Sequence, residues 1–325
     1  MSPTRSHTQK KVFAASFSVA SNTFLTISKL IIGFSIGSVS VLSEAIHSMI
    51  DLLAAIIALF AVRTSSKPAD REHPFGHGKI ETISGAIEAI LIFVAAAWII
   101  FEALEKFSSP KPIEALEWGV AVMAISSLMN FLVSRYLFRI AKETDSIALA
   151  ADGWHLRTDV YTSMGVLVGL AAIEVCRYLF PNVNLLWLDP AAAILVAVLI
   201  LKAAVELTIK SARELMDESL PADEINAIKD KIRGSFSTIK SCHSLKTRKS
   251  GPSRFIEFHL AVDSNMSVKD SHAITEDLER VIKEMYPGSD VTIHIEPCDN
   301  RFCHAACESG CYDHVVERRS SGSID

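Results

Sequence analysis

The stretch from Ala151 to Asp159, ADGWHLRTD, sets His155 and Asp159 four positions apart within an otherwise apolar run. An earlier run, Ala45 to Asp51 (AIHSMID), does the same with His47 and Asp51. On a helix, a spacing of four puts both side chains on one face about a turn apart. An ionisable group inside a bilayer costs at least about 2.5 to 3.5 kcal/mol on insertion scales, so each needs a partner or a function. Brought together, the two faces supply two imidazole nitrogens and two carboxylates, a closed tetrahedral shell that suits zinc(II) at about 2.0 to 2.2 Å. A single pair is equally compatible with a hydrogen-bonded core histidine. Two matched pairs favour a shared metal, because a carboxylate stranded in hydrocarbon without a cation is hard to tolerate.

Around these runs the chain is apolar enough to span a bilayer repeatedly. Half of the 325 residues are hydrophobic, and a span needs about 20 largely apolar residues. Spans are predicted at roughly 12–36, 39–63, 80–105, 114–138, 146–174 and 186–210. They make an all-α six-helix membrane domain over 12–212, preceded by a cytoplasmic segment, 1–11. The first span follows Lys10 and Lys11 but is too long for a signal peptide and lacks a small-residue cleavage site. Basic residues at the amino terminus (Arg5, Lys10, Lys11), between helices 2 and 3 (Arg63, Lys67, Arg71, Lys79) and between helices 4 and 5 (Arg135, Arg139, Lys142) predict that both termini are cytoplasmic. The expected location is a bacterial inner membrane. A net charge of −5 argues against a nucleic-acid partner.

Beyond residue 213 the pattern becomes that of a small soluble α/β domain, 213–297. A polar helical run, Ala222 to Gly234, precedes strand-like runs at 241–249 and 254–262. A helix from Ser267 to Tyr286 follows, capped by Ser267 and stopped by Pro287-Gly288, then a strand from Asp290 to Glu296. The predicted order is αββαβ, and imperfect alternation in 255–260 leaves the buried face open. Five of the six cysteines fall in this predicted cytoplasmic region, where free thiols or metal ligands are favoured over disulfides. The tail, 298–325, carries Cys298, Cys303, His304, Cys307 and Cys311 as possible thiolate-rich ligands, before a Ser/Arg/Gly end with little to bury.

The run from Ser38 to Lys79, with PAD at 68–70 and HPFGHGK at 73–79, together with ADGWHLRTD and the ELMD run at 214–217, resembles the cation diffusion facilitator family of divalent-metal exporters. The resemblance extends from helix 1 to about residue 297. It implies a homodimer, a metallochaperone-like cytoplasmic domain, and proton-coupled alternating access at the site shared by helices 2 and 5. It also implies a loop zinc site at Asp70, His73 and His77 and a cytoplasmic zinc site at His243, His259, His272, His294 and Glu296. A charge interlock between Lys79 and Asp217 is implied as well. Several bacterial relatives have Asp where this chain has His47, and the second imidazole here favours zinc, with cadmium and cobalt, over manganese or magnesium. In the family, Asp is more frequent at the position of Glu296. Arg157 lies off the ligand face, with Asp152 or Glu44 as its expected acidic partner.

These expectations describe zinc(II) as both substrate and regulatory ligand, with no organic cofactor. The competing readings are a membrane-anchored zinc sensor or scaffold without flux, and an exporter of broader cadmium, cobalt and iron selectivity. A membrane zinc hydrolase is disfavoured, since four protein ligands leave no open coordination position.

Overall fold

The computed structural model of the chain describes residues 3–36, 39–108, 117–179, 187–235 and 239–298. It divides into two compact units, Met1–Leu215 and Met216–Asp325.

The first unit is helical: α1 (Pro3–Ile36), α2 (Val39–Ser65), α3 (Lys79–Ser108), α4 (Glu117–Thr144), α5 (Ile147–Leu179) and α6 (Leu188–Leu215). Among the described residues, His7–Ser35, Ala45–Ser65, Lys79–Glu105 and Pro190–Leu215 are long and apolar enough to cross a membrane. The expected spans in α4 and α5 do not join that set. In both helices part of the expected span falls on residues whose side chains lie outside those described. The segment expected to precede helix 1 is itself helical from Pro3, a residue whose fixed φ and missing N–H suit a first turn.

Small residues line the helix contacts. Ala14, Ala54, Ala58, Ala89, Ala151 and Ala204 are buried and let backbones approach closely. At Gly165 on α5 an added Cβ would lie 2.7 Å from Val196 Cγ2 on α6, so that approach requires glycine. Large side chains point the other way: Phe24, Phe34, Phe60, Trp98 and Phe101 stand outward, the inverted distribution that hydrocarbon surroundings favour.

One end of this unit is fastened by a buried polar hub. Glu81, near the start of α3, is fully buried and accepts from Lys11 Nζ of α1 at 2.6 Å and from Ser65 Oγ of α2 at 2.7 Å. Ser146, just before α5, donates to its other oxygen. Lys11, one of the basic residues that mark the amino terminus as cytoplasmic, is 3% exposed and paired. Its neighbour Lys10 makes an exposed pair with Glu143 of α4 at 3.2 Å.

The second unit runs α7 (Ala222–Ser235), β1 (Ser241–Ser250), β2 (Ser253–Asp263), α8 (Val268–Met285) and β3 (Asp290–Cys298). The strands form one sheet in the order β1-β2-β3, antiparallel between β1 and β2 and parallel between β2 and β3. Parallel pairing needs a crossover, which α8 provides. Ser267 caps that helix, accepting from the Asp270 N–H. The face left open by the sequence is resolved: Ile256, Phe258, Leu260 and Val262 of β2 turn inward against Ile228 and Ile232 of α7 and Leu278 and Ile282 of α8. Arg254 of β2 clasps Glu224 of α7 through two hydrogen bonds of 2.7 and 3.1 Å. Cys242 belongs to this core, and burial pushes its thiol up to about 12. It is therefore a packing residue and a poor metal ligand at neutral pH.

Lys79 opens α3 in the first unit. Asp217 belongs to the second, where φ is +57° and its carboxylate lies 3.6 Å from Arg248 of β1.

Candidate metal centre

Helices α2 and α5 bring the two His-x-x-x-Asp faces together. His155 Nε2 lies 3.2 Å from Asp51 Oδ1, and His47 Nε2 lies 3.6 Å from Asp159 Oδ1 and 3.9 Å from Asp51 Oδ1. Each imidazole thus faces the carboxylate of the other helix. Ligand atoms of His47, Asp51 and Asp159 all lie within 4.8 Å of one another, close enough to hold an ion. The Asp51 and His155 side chains are buried at 4% and 7% exposure. The Nδ1 atom of His155 is buried without a hydrogen-bond partner, leaving Nε2 as the nitrogen aimed at a carboxylate.

Two neighbours of this cluster escaped the sequence reading. Asn130 of α4 donates from Nδ2 to Asp159 Oδ2 at 3.3 Å, fixing the carboxylate from a third helix. On α2, Ser48 accepts Lys29 Nζ at its hydroxyl (2.8 Å) and Thr26 Oγ1 at its backbone carbonyl (3.0 Å), so α1 braces the helix one residue from His47. An amide within the apolar SSLMNFL run of α4 was the available signal, because a polar group in a membrane helix needs a partner.

Arg157 follows a different course from the acidic partner expected for it. Its guanidinium stacks over Phe131, 4.6 Å from the ring centroid, with Phe138 at 5.7 Å. Asp152 makes no ion pair among the described residues, and the Glu44 side chain lies outside them. Two aromatic faces on the adjacent helix α4 compete well for a weakly hydrated guanidinium in a dry setting.

In the 2–3 connection, Asp70 organises a tight turn. Its Oδ1 accepts the backbone N–H groups of Glu72 (3.0 Å) and His73 (2.7 Å), while His73 Nδ1 and His77 Nε2 each lie 3.3 Å from its carboxylate. Gly76 at φ +78° turns the chain so that His77 folds back. All three ligand atoms lie within 4.8 Å. The His73 N–H, then the His73 ring and the Glu72 N–H, hold the Asp70 carboxyl below its usual range. A carboxyl lowered on folding contributes order that is present above its unfolded range and is lost as pH falls through the lowered value. The side-chain carboxyl carbon resonance of Asp70 should therefore titrate only below the ordinary carboxylate range. A carboxyl carbon that titrates within or above that range would sink this account of the turn.

The sheet assembles the third cluster. Register pairs His243 with His259 and His259 with His294, so three imidazoles lie side by side across β1, β2 and β3. Glu296, two residues beyond His294, shares its face. It lies 2.8 Å from His259 Nδ1, 3.1 Å from His243 Nε2 and 3.8 Å from His294 Nε2. This is the outer face, opposite the core formed with α7 and α8. His272 is not brought into that group; it is exposed on α8, 3.4 Å from Glu276. Cys298 ends β3 as a free thiol, while Cys303, His304, Cys307 and Cys311 lie outside the described residues.

Comparison with known proteins agrees with the division into a helical domain and a small C-terminal one. Residues 15–216 match the cation efflux transmembrane domain, and residues 220–298 match the cation efflux protein cytoplasmic domain. The chain belongs to the cation diffusion facilitator family, and is an integral membrane transporter of divalent metal cations with a C-terminal cytoplasmic domain. It is 38% identical over 264 residues to an uncharacterized transporter of Synechocystis sp., covering 81% of this chain and 83% of that protein. It is 32% identical over 298 residues to the cation-efflux pump FieF of Serratia proteamaculans, covering 92% of this chain and 96% of that one. Among solved structures, the zinc form of the putative zinc transporter CzrB is 40% identical over 25% of this chain and 92% of its own, with a TM-score of 0.23.

Proposed function

We propose that the chain exports chiefly zinc(II) from the cytoplasm in exchange for protons, through six membrane-spanning helices with both termini cytoplasmic, as a homodimer. The reading rests on one observation above all: His47 and Asp51 of α2 face Asp159 and His155 of α5 across contacts of 3.6 and 3.2 Å. Two imidazoles and two carboxylates make a complete shell for zinc, and manganese or magnesium would favour an all-oxygen one. A metal ion and a proton compete for the same imidazole nitrogen, so loading releases protons and returning protons release the metal. Imidazole is suited to that exchange because its charge changes near working pH.

Asp70, His73 and His77 form a second zinc-binding position in the 2–3 connection. The outer sheet face, through His243, His259, His294 and Glu296, binds regulatory zinc and biases the transport equilibrium by preferring one arrangement of the domain.

The test is uptake into proteoliposomes of zinc, cadmium, cobalt, iron(II) and manganese under an imposed pH gradient, for wild type and His47→Asp. Saturable, gradient-dependent zinc uptake is expected in wild type. Replacing one imidazole by a carboxylate should shift preference from zinc toward iron(II) and manganese by about tenfold. An unchanged metal order in His47→Asp would refute the selectivity argument, and zinc binding without flux would make the protein a sensor.

A further inference from the structure

A second group of buried carboxylates lies where α5 packs against α3, on the same stripe of α5 as His155 and Asp159 and about one turn before them. Glu88 of α3 and Asp152 of α5 are both fully buried. Asp152 is the charged group that acts most directly on Glu88, and the two helices pack through Ala89, Ile92, Ile147 and Ala151. Ser84 donates weakly to Glu88 Oε1 at 3.5 Å, whereas Glu88 Oε2 and both oxygens of Asp152 have no hydrogen-bond donor. Ser18 of α1 presents a hydroxyl toward Asp152 without completing a well-formed bond. Ser211 of α6, also fully buried and unpartnered, sits 3.2 Å from where a Cβ would stand on Gly85, one turn of α3 from Glu88.

Two carboxylates in a dry interior with no paired cation and only weak hydroxyl donors are untenable as a pair of anions. Among the described residues the buried cations of this unit are engaged elsewhere: Lys11 with Glu81, Lys29 with Ser48 and Arg157 over the Phe131 ring. What neutralises the pair must then be exchangeable. The surrounding donors are all hard oxygens, of two carboxylates and three serines, a poor shell for zinc beside the imidazole site. The charged groups facing Asp152 are Glu88 from α3, Asp51 from α2, and His155 and Asp159 from its own helix. From α1 and α6 the near polar groups are Ser18 and Ser211. Asp152 precedes His155 by three residues, about 4.5 Å along the helix axis.

We infer that Glu88 and Asp152 form a proton-holding carboxyl pair that returns protons to the transport site, with Asp152 as the member next to it. The proton leaves a carboxyl oxygen of the pair and arrives on the site's vacated imidazole nitrogen, and the pair is refilled from water. The relay role rests on the exchange proposed above, while the protonation of the pair does not.

The experiment uses the full chain in lipid nanodiscs at neutral pH, with and without zinc, and reads the infrared carbonyl stretch of protonated carboxylic acids. Zinc ionises the ligands Asp51 and Asp159, so the band that persists with zinc reports other carboxyls. Wild type should show it, and Glu88→Gln/Asp152→Asn should lose it, because both amides keep size and hydrogen-bonding shape. That variant should bind zinc within about twofold of wild type by calorimetry yet exchange zinc for protons about tenfold more slowly. Glu88→Gln alone serves if the double variant does not purify as folded protein, and should reduce the band. No band in wild type, or an undiminished band in the variant, overturns the proton pair even where zinc binding and flux are normal. Loss of the band with unchanged flux overturns the relay.

Discussion

Asp51→Ala and Asp159→Ala should each abolish zinc flux and weaken zinc binding by about 100- to 1,000-fold, or about 3 to 4 kcal/mol. The reason lies in what each carboxylate compensates. Asp51 is 4% exposed and faces His155 at 3.2 Å, while Asp159 faces His47 at 3.6 Å. A dication entering this shell needs both negative charges, since the imidazoles are neutral ligands and the surroundings cannot solvate the excess. Removing one carboxylate leaves a buried positive charge in the loaded state. Removing the Asn130 amide leaves the charge in place and costs only a hydrogen bond. Asn130→Ala should therefore weaken binding about tenfold or less. Calorimetry and proteoliposome flux on the three variants check the order, and zinc affinity within threefold of wild type in both aspartate variants would remove the site from the transport pathway.

Glu81→Ala is expected to be the most destabilising single substitution in the helical unit, costing about 3 to 5 kcal/mol. Glu81 is fully buried and receives Lys11, Ser65 and Ser146, one group each from α1, α2 and the approach to α5. Its loss strands the Lys11 ammonium, 3% exposed, in an apolar interior. An apparent melting temperature lower by roughly 10 °C follows from that energy. Lys11→Met/Glu81→Leu should regain most of it, because replacing a buried ion pair by apolar groups of similar volume is close to neutral. Thermal unfolding of the detergent-solubilised protein decides. A double variant no more stable than Glu81→Ala would mean that the serines, and not the ion pair, carry the hub.

The convergence of His47, Asp51, His155 and Asp159 was readable because spacing of four on an apolar helix is a local property, and the two copies named each other as partners. The order of the soluble elements was readable for a similar reason, through turn residues and the Ser267 cap. What the sequence did not disclose depends on distant contacts. Lys11 looks like an ordinary terminal charge until Glu81, seventy positions away, is folded against it. Arg157 invites an acidic partner on charge grounds, but the aromatic rings of α4 are what packing supplies. His272 shares its residue type with the sheet histidines and sits on a helix whose other face meets the sheet, so residue type alone could not separate it from them. Glu88 and Asp152 each need a partner on insertion cost, but no spacing within one helix links them, and only the packing of α3 against α5 brings them together.

The row formed by His243, His259 and His294 has a consequence for how the soluble unit is assembled. Side chains alternate across a strand, so a slip of β3 by one residue would turn His294 and Glu296 into the apolar core and set Ile293 and Ile295 outside. Such a slipped chain would present two imidazoles and no carboxylate to an arriving ion. The metal binding proposed for that face would therefore act as a proofreader of strand alignment: only a correctly registered sheet could answer to the ion, and a misaligned copy would stay silent.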